Sequence, residues 1–298
     1  MKFHLIALFT VAVWGITFVS TKVLLVTFSP LWILLLRFIL GTLALCLLRP
    51  HILHLTKRNH EWLFIAAGAT GIAAYYLLEN IALVFTTATA VGVIVAASPL
   101  FTALLQAVCG DRSALNLRFF AGFALAMLGL VIVGFGNEGA QATLQPLEGA
   151  SLFGDLLALL AAFVWALYSL LVKKISDLGY ETIASTKRTF LWGLVFILPA
   201  TLLWGGNFPA WSQALSAVNL ANFAFLGLIA SAACFVTWGL AVKGLGAASS
   251  TTYIYLVPAL TATASIAILG EPLTPSIIVG VCLTIGGLLL SQKREAKR

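Results

Sequence analysis

Long apolar runs alternate along the chain with short polar or Gly/Pro-containing breaks. The runs fall at about residues 3–24, 31–49, 62–85, 88–109 and 117–136, and after a polar stretch at about 152–173, 183–204, 219–242, 248–269 and 275–292. Each is close to the roughly 20 residues that a helix rising about 1.5 Å per residue needs to cross a hydrocarbon core of about 30 Å. The pattern therefore predicts ten transmembrane helices and an all-α integral membrane protein. The first run, led by Lys2, is too long for the apolar core of a secretory signal and has no small-x-small cleavage site, so it is expected to be a retained helix.

Composition sharpens this picture. Residues of the AVILMFWYC set make up 61% of the 298 positions and charged residues only 9%, against about 25% charged in a soluble protein. Mean hydropathy is +1.06. Ten spans leave too little chain for an extramembrane catalytic domain. The net charge of +7 would suit nucleic acid, but its sources are scattered between apolar runs. With the N-terminus placed inside, fifteen of the seventeen Lys and Arg fall in inner segments, Lys22 and Arg37 being the exceptions. The 137–151 linker, with Glu138 and Glu148, carries none. The positive-inside rule then expects both termini in the cytoplasm, in a plasma-type inner membrane, and no nucleic-acid partner. Cys46, Cys109, Cys234 and Cys282 stand alone in apolar runs and read as small buried hydrophobes, while His51, His54 and His60 lie in a basic loop suited to anionic lipid. No metal or cofactor is implied.

The chain repeats itself. Val13-Trp14 matches Val164-Trp165, Lys22 matches Lys173 and Arg37 matches Arg188, all at an offset of 151. After small gaps Pro99 matches Pro258, Gly110-Asp111 matches Gly270-Glu271, and Gly122/Gly129 matches Gly280/Gly287. The expected units are a first five-helix repeat at 1–136, an outer linker at 137–151, a second repeat at 152–292 and a basic tail at 293–298. Five spans is an odd number, so the second repeat must cross the membrane in the opposite sense to the first. That defines an inverted repeat with a pseudo-two-fold axis in the membrane plane.

In order, Val13-Trp14-Gly15, the 30–37 stretch, 82–99, Gly154-Asp155, Trp165-Ala166-Leu167-Tyr168 and Gly270-Glu271-Pro272-Leu273-Thr274 followed by Gly280 resemble the drug/metabolite transporter superfamily, specifically its EamA-type ten-helix exporters. The resemblance covers nearly the whole chain. It implies a two-repeat bundle around a central cavity that exports amino acids or similar small metabolites, in some members by ion exchange.

Glu79 is the only acid well inside an apolar run. An ionisable group there is a functional hypothesis by default, because its burial costs a few kcal/mol or more. Arg37, roughly 10 Å deep, lies at a similar level to Glu79, roughly 9 Å deep, when residues are counted from the outer ends at about 1.5 Å each; Lys22 is shallower and can snorkel. Two readings stand: Glu79 binds a substrate amine or a proton with Arg37 tuning it or holding a carboxylate, or the two form a structural ion pair. Tyr76, Glu79 and Asn80 share one helix face. Trp14, Tyr75, Tyr76, Trp165 and Tyr168 fall mid-span, where an interfacial role is closed to them, whereas Trp32, Trp62, Trp204 and Trp211 fit the interfacial belt. The candidate substrate site is Glu79, Tyr76, Asn80, Arg37, Trp14, Trp165, Tyr168 and Tyr255. Position 238, which matches Glu79, is Trp238.

Pro99 and Pro258 should break their helices near mid-membrane and free the carbonyls of Val95 and Ile254, as a fixed kink or a transport hinge. Thr251, Tyr255 and Pro258 share a face beside the second break. Gly122, Gly129 and Gly136, with Gly280 and Gly287, mark a close-packed seam between halves or between protomers.

The expected function is a secondary transporter working by alternating access on a small-molecule substrate, with a proton or another ion as candidate coupling partner. No Walker-type motif is present to hydrolyse ATP. A carrier of anionic phosphorylated or nucleotide-type metabolites, gripped by Lys22, Arg37 and Arg188, is the alternative, and Glu79 argues against it. An intramembrane enzyme is the remote one, since there is no His-Glu-x-x-His, no paired membrane carboxylates and no Cys/His dyad.

Overall fold

The computed structural model describes residues 2–108, 110, 115–136, 150–245, 250 and 252–291. Most of the 137–151 linker, the 293–298 tail, Cys109, Asp111, Arg112 and Thr251 lie outside the described residues. Within them the chain is helical with no strand. In chain order the main helices are α1 (Lys2–Leu25), α2 (Pro30–Leu48), α3 (Arg58–Phe85), α4 (Ala88–Val108), α5 (Leu117–Gly136), α6 (Ala150–Asp177), α7 (Thr182–Trp204), α8 (Ala217–Leu245), α9 (Tyr253–Leu269) and α10 (Pro275–Ser291). Among the described residues seven helices, α1 to α4 and α6 to α8, are long and apolar enough to cross a membrane, while α5, α9 and α10 are apolar over shorter stretches.

Short polar residues set the helix starts. Thr87 accepts from the Ala90 amide at 3.1 Å to begin α4, and Ser216 accepts from Asn219 at 3.4 Å to begin α8, the side-chain capping that relieves unpaired amides. Pro30 opens α2 as a first-turn residue, where its missing N–H is no loss. Gly270 closes α9 with a φ of 67°, left-handed backbone that glycine adopts without penalty.

One helix is interrupted halfway and another changes type near its start. The segment Ala88–Val95 ends in a turn at Ala96 and Ala97, and a new helix starts at Ser98–Val108. At the start of α9 a tighter 3-10 turn, Thr252–Leu256, gives way to the α-helix Val257–Ala264. Pro99 and Pro258 each stand second in the half-helix that follows the break.

Packing relates the two halves. α2 lies on α7, α4 on α9 and α5 on α10, so each meets its own repeat mate. α1 packs on α8 and α9, as α6 packs on α3 and α4. Exchanging the halves maps every one of these pairings onto another, which is the mark of a two-repeat bundle. The glycine seam joins the halves: a Cβ on Gly129 would sit 2.6 Å from the Gly280 carbonyl oxygen, a distance that only paired small residues permit.

Candidate functional site

Aromatic rings from four helices meet at the centre of the bundle. Trp14 of α1 stands edge-on to Trp165 of α6 at 5.8 Å and 5.2 Å from Trp238 of α8. Trp165 lies 4.6 Å from Tyr75 of α3 and 5.0 Å from Tyr168, one turn along its own helix. Such rings prefer edge and tilted contacts because their faces carry negative and their rims positive charge. Two chambers adjoin this cluster. The larger, of about 120 Å³, reaches Thr102 of α4, Lys173 of α6 and Thr189 of α7, with Tyr180 in the α6–α7 turn. The smaller, of about 40 Å³, is bounded by Tyr75, Tyr76, Glu79, Val95, Ala96 and Val257 among others. Trp14, Ser98, Trp165 and Ile254 line both, so the two voids share a wall.

Glu79 is only 1% exposed. Tyr75 stands one turn earlier on α3, and Oε1 of Glu79 has no hydrogen-bond partner. Arg37 is equally buried but forms no ion pair with Glu79 within 4.0 Å. Its Nε donates to Ser231 Oγ at 2.7 Å and its guanidinium lies 4.2 Å over the ring of Tyr76. Nη1 and Nη2 have no partner. Of the two readings left open by matching depth, the structural ion pair is not formed; a cation-π contact stands in its place, because Tyr76 occupies the face of α3 that Arg37 reaches. Arg37 lines neither chamber.

The other candidates separate as well. Trp14 and Trp165 line both chambers, Tyr168 the larger, and Tyr76 with Glu79 the smaller. Asn80 turns away, its Nδ2 donating to the Pro30 carbonyl at 3.1 Å and tying α3 to the start of α2. Tyr255 is buried at the α9 break between two residues, Ile254 and Val257, that do line the smaller void. The cations offered as a phosphate grip are engaged elsewhere. Arg188 is paired with Glu61, which also accepts from Trp192 Nε1 at 2.5 Å, and Lys22 donates to the Thr86 carbonyl at 2.7 Å.

Lys22 belongs to a cluster that sequence reasoning did not assemble. Glu271 accepts from the Ala88 amide at 2.9 Å, the Thr89 amide at 3.3 Å and Thr89 Oγ1 at 2.8 Å, with Lys22 Nζ 3.9 Å away. Thr86 Oγ1 donates to Asp155 Oδ1 at 2.8 Å. These bonds tie α1, the α3–α4 turn, the outset of α6 and the α9–α10 loop together at one end of the bundle. The larger chamber lies toward the opposite end, beside the α6–α7 turn. Gly154-Asp155 and Gly270-Glu271 were visible as motifs, but nothing local to either says that they meet near Thr86. Among the described residues, no group of three His, Cys, Asp or Glu side chains converges as metal ligands would.

The EamA-like transporter family matches twice, over residues 1–135 and 152–292. A protein of Archaeoglobus fulgidus described as an uncharacterized transporter is 28% identical, over 99% of this chain and 98% of its own length. One of Streptantibioticus cattleyicolor described as a probable terminal-alkyne amino-acid exporter is 30% identical, over 97% of this chain and 93% of its own. A solved crystal structure aligns with a TM-score of 0.66 at 20% identity, over 97% of this chain and 95% of that one, a likeness of fold alone.

Proposed function

The chain belongs to the EamA-like transporter family of multi-pass membrane proteins, and from that premise we propose that it exports amino acids or related small amphiphilic metabolites by alternating access around its central aromatic cavity. The observation that carries this reading is a buried carboxylate, Glu79, with one oxygen unpartnered at the edge of a ring-lined void. A carboxylate left so in a protein interior is costly unless a cation completes it. The amine of a substrate is such a cation, and Trp14, Tyr76, Trp165 and Tyr168 offer its side chain apolar and cation-π surface. Arg37 serves from behind Tyr76 as a fixed positive charge; Asn80 and Tyr255 hold the helices that carry the site.

Each five-helix repeat, 1–136 and 152–292, is the moving unit, with α5, α9 and α10 completing ten spans and Pro99 and Pro258 as hinges. The Lys/Arg distribution puts the α6–α7 turn and both termini in the cytoplasm of a cell bounded by an inner plasma membrane. The chamber then faces inward and the Glu271 cluster closes the outer end. Export against a gradient requires coupling, and exchange for a proton or another ion fits a sequence with no Walker-type motif. Transport, with no chemistry on the substrate, is the whole activity in this reading. Engagement of Lys22, Arg37 and Arg188 away from the void disfavours the anionic carrier.

The test is counterflow in proteoliposomes with labelled neutral, aromatic and cationic amino acids and phosphorylated competitors. Exchange of zwitterionic amino acids by the wild type, abolished in Glu79→Gln while the variant stays monodisperse in detergent, is expected. Competition by phosphorylated compounds alone, or full activity in Glu79→Gln, would sink the proposal.

A further inference from the structure

The two chambers carry opposite charge. Among the described residues, Glu79 is the only charged side chain lining the smaller one and Lys173 the only one lining the larger. The larger chamber is also long, since its α6 wall runs from Trp165 to Ser176, a rise of about 16 Å at about 1.5 Å per residue. Rings wall one end of it. Hydroxyls line the other, where Thr182, Ser185, Thr186 and Thr189 share one face of α7. Lys173 and Ser185 both border the chamber within about one turn of the α6–α7 turn, Lys173 before the end of α6 at Asp177 and Ser185 after the start of α7 at Thr182. Neighbouring hydroxyls are spent on their own helices: Thr186 donates to the Thr182 carbonyl and Ser169 to the Trp165 carbonyl, each at 2.8 Å. Ser185 is not. In a residue 9% exposed, its Oγ has no hydrogen-bond partner, and a buried hydroxyl left so costs free energy that an acceptor on a guest restores. Lys173 Nζ meets Asp177 at 2.9 Å, but both side chains are more than half exposed, and so exposed a pair is weak enough to exchange for another anion. Glu181, at the start of α7, is taken by Arg49 at 3.5 Å.

Resting on the reading of the chain as an amino-acid exporter, we propose that the end of the larger chamber beside the α6–α7 turn is a carboxylate station, with Lys173 supplying the charge and Ser185 the buried hydroxyl donor. A carboxylate only accepts hydrogen bonds, so a wall of donors with one cation and no acid fits it. One ammonium also matches its single negative charge better than the two of a phosphate. An amino acid entering past the α6–α7 turn is met by its carboxylate at Lys173 and Ser185. Its amine reaches Glu79 only beyond the wall of Trp14 and Trp165 that the two chambers share. The two charges of the substrate are thus read in succession at separate places.

The experiment is equilibrium binding to the purified full chain in nanodiscs of zwitterionic lipid, comparing 3-phenylpropionate with the neutral 3-phenylpropan-1-ol and with phenethylamine. The acid should bind at least about tenfold tighter than the alcohol, the scale of a charged hydrogen bond. Lys173→Gln and Ser185→Ala should each cut that advantage several-fold. Lys173→Arg should keep it, and Asp177→Asn, which frees the ammonium, should enlarge it. Glu79→Gln should weaken phenethylamine. An acid that binds no tighter than the alcohol would overturn the proposal, as would an advantage that survives Lys173→Gln, or inorganic phosphate that displaces the acid at equal concentration. Should Ser185→Ala fail to fold, Lys173→Gln and Asp177→Asn, at exposed positions, decide alone. Phenethylamine binding without any advantage for the acid overturns this inference only, and binding of neither overturns the exporter reading with it. Acid binding lost in Lys173→Gln, with no binding of the amine, would uphold the station and overturn the role of Glu79.

Discussion

Glu271 offers the sharpest test of how one end of the bundle is kept shut. Its carboxylate accepts three hydrogen bonds from the first residues of α4 and stands 3.9 Å from Lys22. Its side chain is 10% exposed, so water replaces little of what substitution removes. Hydrogen bonds to a charged group contribute about 1.5–3 kcal/mol each when one partner is deleted, and loss of a helix cap costs about 1 kcal/mol. The three bonds share one acceptor and are not additive, and the ion pair to a quarter-exposed Lys22 contributes less than about 1 kcal/mol. Glu271→Ala should therefore weaken closure by about 2–4 kcal/mol, a factor of roughly 30 to 1,000 in the population open at that end. The readout is a single cysteine at Thr17, which lines the smaller chamber, in a background with the native cysteines replaced. Membrane-impermeant thiol reagent applied from the Glu271 side of oriented vesicles should modify it at least tenfold faster in Glu271→Ala. An unchanged rate in a folded variant would refute the reasoning, because any population shift of that size must appear in the rate.

Three further outcomes follow from the same geometry. Glu61→Ala removes the partner of Arg188 and the acceptor of Trp192; both ends are about three-quarters buried, so thermal unfolding in detergent should fall by several degrees, corresponding to about 1–3 kcal/mol. Gly129→Leu drives a side chain into the Gly280 carbonyl and Thr284, and should separate α5 from α10, read as loss of a cross-link between cysteines placed on the two helices. Lys22→Gln should raise thiol labelling from the Glu271 side, whereas Lys173→Gln should leave labelling there unchanged, since Lys173 pairs only with Asp177 one turn along its own helix. Equal effects would contradict the asymmetry.

Periodicity and composition were enough to show the bundle, because in hydrocarbon a helix must close its own backbone bonds and turn apolar side chains to the lipid. The 151-residue offset was enough to show two repeats. Side-chain pairing was harder to read. Arg37 and Glu79 share a depth, yet depth leaves free the angle around each helix, and Tyr76 and Ser231 decided where the guanidinium went. Tyr76, Glu79 and Asn80 share a face by spacing, but a helix face is broad enough for its flank to meet a different neighbour, so Asn80 donates to the Pro30 carbonyl of α2 while the others border the void. Glu271 is 182 residues from Thr89, in a polar loop; nothing in its local sequence distinguishes a surface acid from one that caps a distant helix.

The duplicated positions carry a further argument. Lys22 and Lys173 are one residue type at one repeat position, and Arg37 and Arg188 likewise. If the halves were in identical states, mates would have matching partners. Instead Lys22 is tied across helices to Thr86 and stands by Glu271, while Lys173 borders the larger chamber and pairs with Asp177 on its own helix. Arg188 is clamped by Glu61 and the Leu53 carbonyl near the α2–α3 turn, while Arg37 has two nitrogens unpartnered. A pseudo-symmetric bundle latched at one end must break its symmetry at such pairs, and in the proposed alternating-access cycle exchanging their environments would exchange the latched end. Glu79 and its counterpart Trp238 differ for another reason. They border the smaller and the larger chamber respectively, and their difference is written in the sequence, so it survives the exchange. Of the two chambers, the smaller is the one bordered by Glu79, so in the proposed export cycle it is the one that would offer a carboxylate to a substrate amine.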